Sequence, residues 1–314
     1  MFLTRSLVLL VAIGGSFARN FNNPVIDGID NPDPGVLLIG DTYWAVTTSM
    51  QQGVTVDRFP IHTSKDLQNW KTVGVVFPVG HQPIWAMPDK EWWAPEIHFV
   101  NGQLMCYFAA RDKTTNRLAI GAAVATNNDP TTWVAQDKPI LLDPSVDSID
   151  ATVLDDGNGN YHLAWASNGS FVIYSRPLSA DGLSVSDPRT EFFRASLPWE
   201  SNVDEGPWHV HRGDYHYIFY SGQSTFGEDY AVGVARSKSV IGPYEKKGDP
   251  ILHRSADWLA PGHCSVVRDQ LGGNDTWAMV YHAYRPGQVG GNRLMMTTSM
   301  YWDDGSGWPY FIGM

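Results

Sequence analysis

Two cysteines, Cys106 and Cys264, are too few in 314 residues to staple the chain with a disulfide framework. A hydrophobic core has to hold it instead, and the two cysteines are expected as separate buried thiols. Beyond the N-terminus no apolar run approaches the length that crosses a bilayer. Basic residues are also scarce: 22 Lys and Arg stand against 33 Asp and Glu, for a net charge of −11. With no clustered Lys or Arg, a nucleic-acid partner is excluded and a neutral ligand fits better. No glycine-rich phosphate loop is present, which argues against a kinase or a dehydrogenase. Long helical periodicity, linkers of domain-separating composition and low-complexity tracts are all missing.

What is present is aromatic and strand-like. The chain holds 13 Trp, 13 Tyr and 13 Phe, and 43% of it is hydrophobic. Five stretches of alternating bulky and small residues read as buried strands: TYWAVTTS from Thr42, LMCYFAA from Leu104, YHLAWAS from Tyr161, YHYIFYS from Tyr215 and WAMVYHA from Trp277. Their starts lie roughly 55 to 62 residues apart. That period suits the blades of a propeller, and five copies predict five blades. Turn clusters such as DDGNGN (155–160) and QLGGNDT (270–276) separate the strands. The expectation is a single all-β domain, a five-bladed β-propeller over 19–314, with DDGSGWPYF near the C-terminus closing the ring. Residues 1–18, with one basic residue, an apolar stretch from Leu7 to Ile13 and small residues at Ser16 and Ala18, read as a secretory signal peptide. A secreted, extracellular protein follows. Asn168 and Asn274 begin acceptor sequons for glycosylation.

Upstream of each buried strand sits a short segment that pairs a polar residue with small or turn-forming ones: NPDPGV with Asp33, WWAPEI with Glu96, SIDAT with Asp150, DEGPW with Glu205 and APGHCSV with His263. The first strand of a propeller blade lines the central channel, so the five segments would converge on one axis. Acids beside Pro and Gly are ordinary turn chemistry when met singly. Five such segments in phase are harder to explain that way. Because neighbours on a strand point to opposite faces, only one of Asp204 and Glu205 can look into the channel, and Asp150 is preferred to Asp147. Asp27 and Asp30 compete with Asp33.

These segments, with SKDLQNW at 64–70 and YHAYRPG…NRLMM…YWDDGSGWP at the end, together resemble glycoside hydrolase family 43, in order and over essentially the whole chain after the N-terminus. The resemblance implies a five-bladed propeller that hydrolyses α-L-arabinofuranosides or β-D-xylosides of plant cell-wall polysaccharide with inversion. It also implies roles. Asp33 matches the general base, Glu205 the general acid and Asp150 the group that orients the acid and raises its pKa. His263 matches an axial histidine that sits, through water, beside a calcium or sodium ion, a structural rather than a required cofactor. Arg293 matches an arginine near the sugar. Ala151, where the commoner motif has Pro, weakens any subfamily assignment.

The chemistry asks for the same set. Inverting hydrolysis needs one carboxylic acid to protonate the leaving oxygen and one carboxylate to activate water on the opposite face of the sugar. A third carboxylate beside the acid raises its pKa by like-charge repulsion. Trp92, Trp93 and Trp208 offer flat faces for sugar rings, though inter-blade packing explains each of them as well. Glu96 either contacts substrate or holds Arg293 or water. The histidines of WHVHRGDYH lack further donors at zinc-ligand spacing. An exo-acting arabinofuranosidase is the expected activity. An endo-arabinanase and a non-catalytic sugar-binding propeller are the alternatives, and a monomer without membrane or nucleic-acid partners is expected.

Overall fold

A computed structural model describes residues 19–49, 51, 53–273 and 275–312. The leader reading of 1–18 and the sequon residue Asn274 lie outside these residues. The chain forms five four-stranded antiparallel sheets, each a simple meander of consecutive strands. The first strands of the five sheets are Gly35–Ile39, Trp92–Val100, Asp147–Asp155, Glu205–Arg212 and Leu259–Arg268. Each packs beside the first strands of the two neighbouring blades, the fifth against the first, so they ring the axis of a five-bladed β-propeller. All five segments anticipated at the axis begin or immediately precede these strands. Among the described residues no helix is long and apolar enough to cross a membrane.

The stretches read as buried strands are the second strands of their blades. Tyr215–Gly222 is buried at all but its first residue and Trp277–Tyr284 throughout. Blades stack face to face, so a second strand meets apolar neighbours on both sides and reads as a near-continuous hydrophobic run. Between blades one and two the packing is aromatic: Phe59, Phe77, Trp92 and Phe108 meet at centroid distances of 5.1 to 6.0 Å. The SKDLQNW turn is held by Asp66, whose Oδ1 accepts hydrogen bonds from the Ser64 hydroxyl and from the Gln68 and Asn69 N–H groups. Cys106 and Cys264 are buried and unpaired, and burial pushes both thiols up.

Ring closure differs from expectation. The C-terminal stretch supplies Pro309–Tyr310, the outermost strand of blade five, and does not cross to blade one. The seam is tied by the segment before blade one. Val25 N–H donates to Met295 O at 2.9 Å, Asn23 bonds both backbone groups of Thr297, and Ser299 Oγ donates to Arg19 O at 2.8 Å. Blade five's third strand (Leu294–Trp302) has a short outer partner, which leaves its first residues free to take this strap. Inside the seam, buried Ser265 Oγ accepts Val36 N–H at 3.0 Å and donates to Pro34 O at 2.5 Å, joining the two innermost strands. Ser265→Ala would leave two buried backbone groups without partners, a loss of about 1–3 kcal/mol each at most. Urea unfolding should show a stability decrease of about that size for the pair, and an unchanged midpoint would remove Ser265 from the closure.

Candidate active site

The innermost strands depart from regular alternation where they reach the axis. Register breaks fall between Trp93 and Glu96, opposite Asp150, between Glu205 and Trp208, and twice between Leu259 and Ser265. Left-handed backbone accompanies them at Asp33 (φ 55°), Ala94 (43°), Asp150 (56°), Gly206 (56°) and His263 (45°). Such bulges re-aim side chains, and backbone held in this region clusters at functional sites. Here the consequence is a cavity of about 320 Å³ on the axis. Its polar lining includes Asp33, Asp150, Glu205, His263, Arg293 and Tyr230, and its apolar side Trp93, Ile149, Phe171, Val203 and Phe226.

Asp33 is buried among nitrogen-bearing side chains. Its Oδ1 lies 3.1 Å from Arg293 Nη1, 3.2 Å from His282 Nδ1 and 3.5 Å from His263 Nδ1, while Oδ2 accepts the Thr48 hydroxyl at 2.6 Å. Burial alone would raise its pKa, but Arg293 and His263 outweigh it and hold the carboxyl well below the usual carboxylate range. His282 Nδ1 accepts the Asp33 backbone N–H at 3.2 Å, so the ring is neutral, in line with burial lowering its pKa to about 4. His263 titrates the other way. Burial would lower it, yet Asp33, Asp150, Glu96 and Glu205 around it raise it above the ordinary histidine value.

Asp150 and Glu205 are treated oppositely to Asp33. Burial pushes both up. The charge of Asp150 raises Glu205 further, although the Tyr230 hydroxyl donates to Glu205 Oε1 at 2.8 Å and His263 stands nearby. Among the described residues Asp150 Oδ2 accepts the Gly206 N–H, at 3.0 Å. Glycine is required twice here. A Cβ on Gly206, itself at positive φ, would come within 3.1 Å of the His263 ring, and one on Gly262 within 2.0 Å of the Tyr230 ring. Tyr230 can therefore lie flat against His282, 7° from parallel, and still reach Glu205.

Not every anticipated residue faces this cavity. Trp92 is fully buried and stacks on Phe108 between blades one and two, so it belongs to the core and no sugar can reach it. Trp208 is also core: its ring packs with blades four and five, and Nε1 donates to Val266 O at 3.1 Å. Glu96 is buried, pairs with His98 at 2.7 Å, and stays outside the cavity wall. Among the competing acids, Asp204 points away and binds Lys246 Nζ at 2.6 Å. Asp27 is exposed and pairs with Arg285, and Asp147 faces Arg117. Asp30 accepts the Arg293 N–H. Tyr230, Thr48 and His282 had not been anticipated. The last lies inside WAMVYHA, where an imidazole in an otherwise apolar buried strand is the signal that could have marked it.

The family model for glycosyl hydrolases family 43 matches residues 21–309. An extracellular exo-α-(1→5)-L-arabinofuranosidase of Cellvibrio japonicus is 29% identical, over 90% of this chain and 86% of that protein. An extracellular endo-α-(1→5)-L-arabinanase of Bacillus subtilis is 26% identical, over 89% and 87% respectively. The crystal structure of a thermostable family-43 glycoside hydrolase superposes with a TM-score of 0.81 at 26% identity, over 94% of this chain and 96% of that one.

The two adjacent tryptophans should separate cleanly on substitution. Trp92→Ala empties a core site and should lower stability by about 3–5 kcal/mol. Trp93→Ala, at the cavity wall, should leave unfolding within about 1 kcal/mol of the parent but weaken saccharide binding. Calorimetric unfolding and ligand titration of both variants check this, and equal stability losses would contradict the assignment.

Proposed function

The chain belongs to glycosyl hydrolase family 43, and from that premise we propose that this glycosidase removes α-L-arabinofuranosyl units with inversion, using Asp33 as general base, Glu205 as general acid and Asp150 to keep the acid protonated. The observation that carries the reading is the opposite treatment of carboxyls in one cavity: Arg293 and His263 hold Asp33 ionised, while burial and Asp150 hold the proton on Glu205. Pushing neighbouring carboxyls apart in pKa is how one site supplies both an acid and a base near neutral pH.

In the reaction, Asp33 takes a proton from a water whose oxygen bonds to the anomeric carbon. The bond to the leaving oxygen breaks, and that oxygen takes the Glu205 proton. Arg293 and His263 stabilise Asp33 before the step, and Tyr230 holds the Glu205 carboxyl through Oε1. The apolar wall with Trp93 suits the C–H face of a sugar. A volume of about 320 Å³ is near the lower end of small-ligand sites, roughly 300–1,000 Å³, and supports exo action on a chain end. The exo-arabinofuranosidase and endo-arabinanase relatives support an arabinan-type substrate. Both are named extracellular, in keeping with an exported enzyme acting on plant cell-wall polysaccharide.

His263 Nε2 is buried without a hydrogen-bond partner among the described residues, which fits a water at the axis. Among those residues no group of three or more His, Cys, Asp or Glu is placed to ligate a metal directly. A hard cation such as calcium would therefore be held through water beside His263, supplying positive charge near the carboxylates. Activity should fall on chelation and return with calcium; activity indifferent to both would remove the ion from the proposal.

Kinetics separate the acid from the base. Glu205→Ala should lower cleavage of an arabino-oligosaccharide by about 10²–10⁴-fold and spare much of the activity on a nitrophenyl arabinofuranoside, whose phenolate leaves without a proton. Asp33→Ala should disable both substrates alike. Proton NMR of early product should show the inverted anomer. Because Glu205 must be protonated and its pKa is raised by Asp150, Asp150→Asn should move the alkaline limb of the kcat/KM profile to lower pH. If Glu205→Ala loses both substrates equally while Asp204→Ala shows the leaving-group dependence, the acid is Asp204 instead.

A further inference from the structure

We propose that Thr48 is the positioning residue of Asp33, fixing its carboxyl and leaving Oδ2 as the oxygen that takes the proton from water. The inference deepens the reading of Asp33 as general base and rests on it. Thr48 follows the second strand of blade one (Thr42–Val46) and is buried. Its hydroxyl lies 2.6 Å from Asp33 Oδ2 and 2.7 Å from the Ala94 nitrogen of blade two. A hydroxyl has one proton and two lone pairs, and a backbone N–H can only donate. Ala94 therefore occupies a lone pair of Oγ1, and the single Thr48 proton is committed to Asp33. Thr48 is itself anchored, because its N–H donates to Pro32 O at 2.9 Å, next to the residue it holds.

The two oxygens of Asp33 are consequently unequal. Oδ1 faces the nitrogens of Arg293, His282 and His263. A proton placed on Oδ1 would meet the positive charge of Arg293 and His263. Oδ2 has one hydrogen bond, from a neutral hydroxyl, and a lone pair to spare. The charged and titratable groups around Asp33 are Arg293, His263 and His282 from blade five, Asp30 from the preceding segment, and Asp150 and Glu205 from blades three and four. Among the described residues Thr48 is the hydrogen-bond partner of Oδ2. Thr48 is not part of the wall of the Asp33 cavity and instead borders a second cleft with Asp30, Asn31 and Ser49. Through Ala94, held at φ 43°, the same hydroxyl fixes the backbone beside Trp93, so base and sugar platform share one anchor.

The test compares Thr48→Val, which keeps the shape and removes the hydroxyl, with Thr48→Ser, which keeps the hydroxyl. With a nitrophenyl arabinofuranoside as probe and activity scaled to the folded fraction, Thr48→Val should lose about ten- to a hundredfold in kcat with KM within about twofold. Its acid limb should move to higher pH, since the ionised base has lost a donor. Thr48→Ser should keep the parent's kcat and acid limb. Should the valine variant fail to fold, Thr48→Cys, a weaker donor of similar size, should show a smaller shift of the acid limb in the same direction. Folded Thr48→Val with the parent's pH profile, or Thr48→Ser as impaired as Thr48→Val, overturns the inference. An inactive Asp33→Asn beside either of those results leaves the base assignment standing and removes only Thr48; an active Asp33→Asn removes both.

Discussion

The site depends on a shortage of positive charge at the propeller axis. Asp33, Asp150 and Glu205 are all buried against one cavity, and the cations facing them there are Arg293 and His263. An isolated buried carboxylate is strongly disfavoured, so a group left without a compensating charge keeps its proton. Arg293 and His263 both lie against Asp33 Oδ1, which settles where the compensation goes. Burial raises Asp150 and Glu205 instead, and the charge of Asp150, the first of the two to ionise, lifts Glu205 further. The division into an ionised and a protonated carboxyl thus follows from where two cations sit.

Such crowding needs backbone that regular strands cannot supply. In an unbroken strand, side chains two apart share a face, and the inner strands would present evenly spaced rows to the axis. The bulges and left-handed residues at Asp33, Ala94, Asp150, Gly206 and His263 collapse that spacing at one level of the channel. The surrounding framework holds these conformations in place. Thr48 grips Ala94, Ser221 Oγ accepts the His263 N–H at 2.8 Å, and His282 accepts that of Asp33. Second strands thus pin the irregular first strands, which is why polar residues occur within otherwise apolar buried runs.

The blade count, the axial segments and the choice between Asp204 and Glu205 were legible because each rests on a short-range rule. Repeated hydrophobic runs gave the blades, and strand alternation put Glu205 at Tyr230 and Asp204 at Lys246. The same rule applied to Trp92 and Trp93 would have set one of them in the core. It gives no guide past Ala94, where the bulge breaks the alternation before Glu96 turns toward His98. Tyr230, His282 and Thr48 were illegible for another reason. Each belongs to the site through a contact with a residue 15 to 249 positions away, and no local pattern encodes such a distance. Ring closure by the segment from Arg19 to Asn31 was hidden for the same reason.

Two glycines shape the surroundings of Glu205. Tyr230 spans the site, stacked on the histidine beside Asp33 and hydrogen-bonded to Glu205. It occupies that plane only because Gly262 leaves the space a Cβ would take. Gly206 does the equivalent for His263 while donating its N–H to Asp150. Both glycines are next to a residue of the site, in EGPW and PGHC. The motifs therefore encode two things at once: a functional side chain, and an absent side chain through which a neighbouring blade reaches it. A substitution at either glycine would act on the surroundings of Glu205 and Asp33 together, because Tyr230 bonds Glu205 and stacks on His282 beside Asp33, and His263 lies against both Gly206 and Asp33.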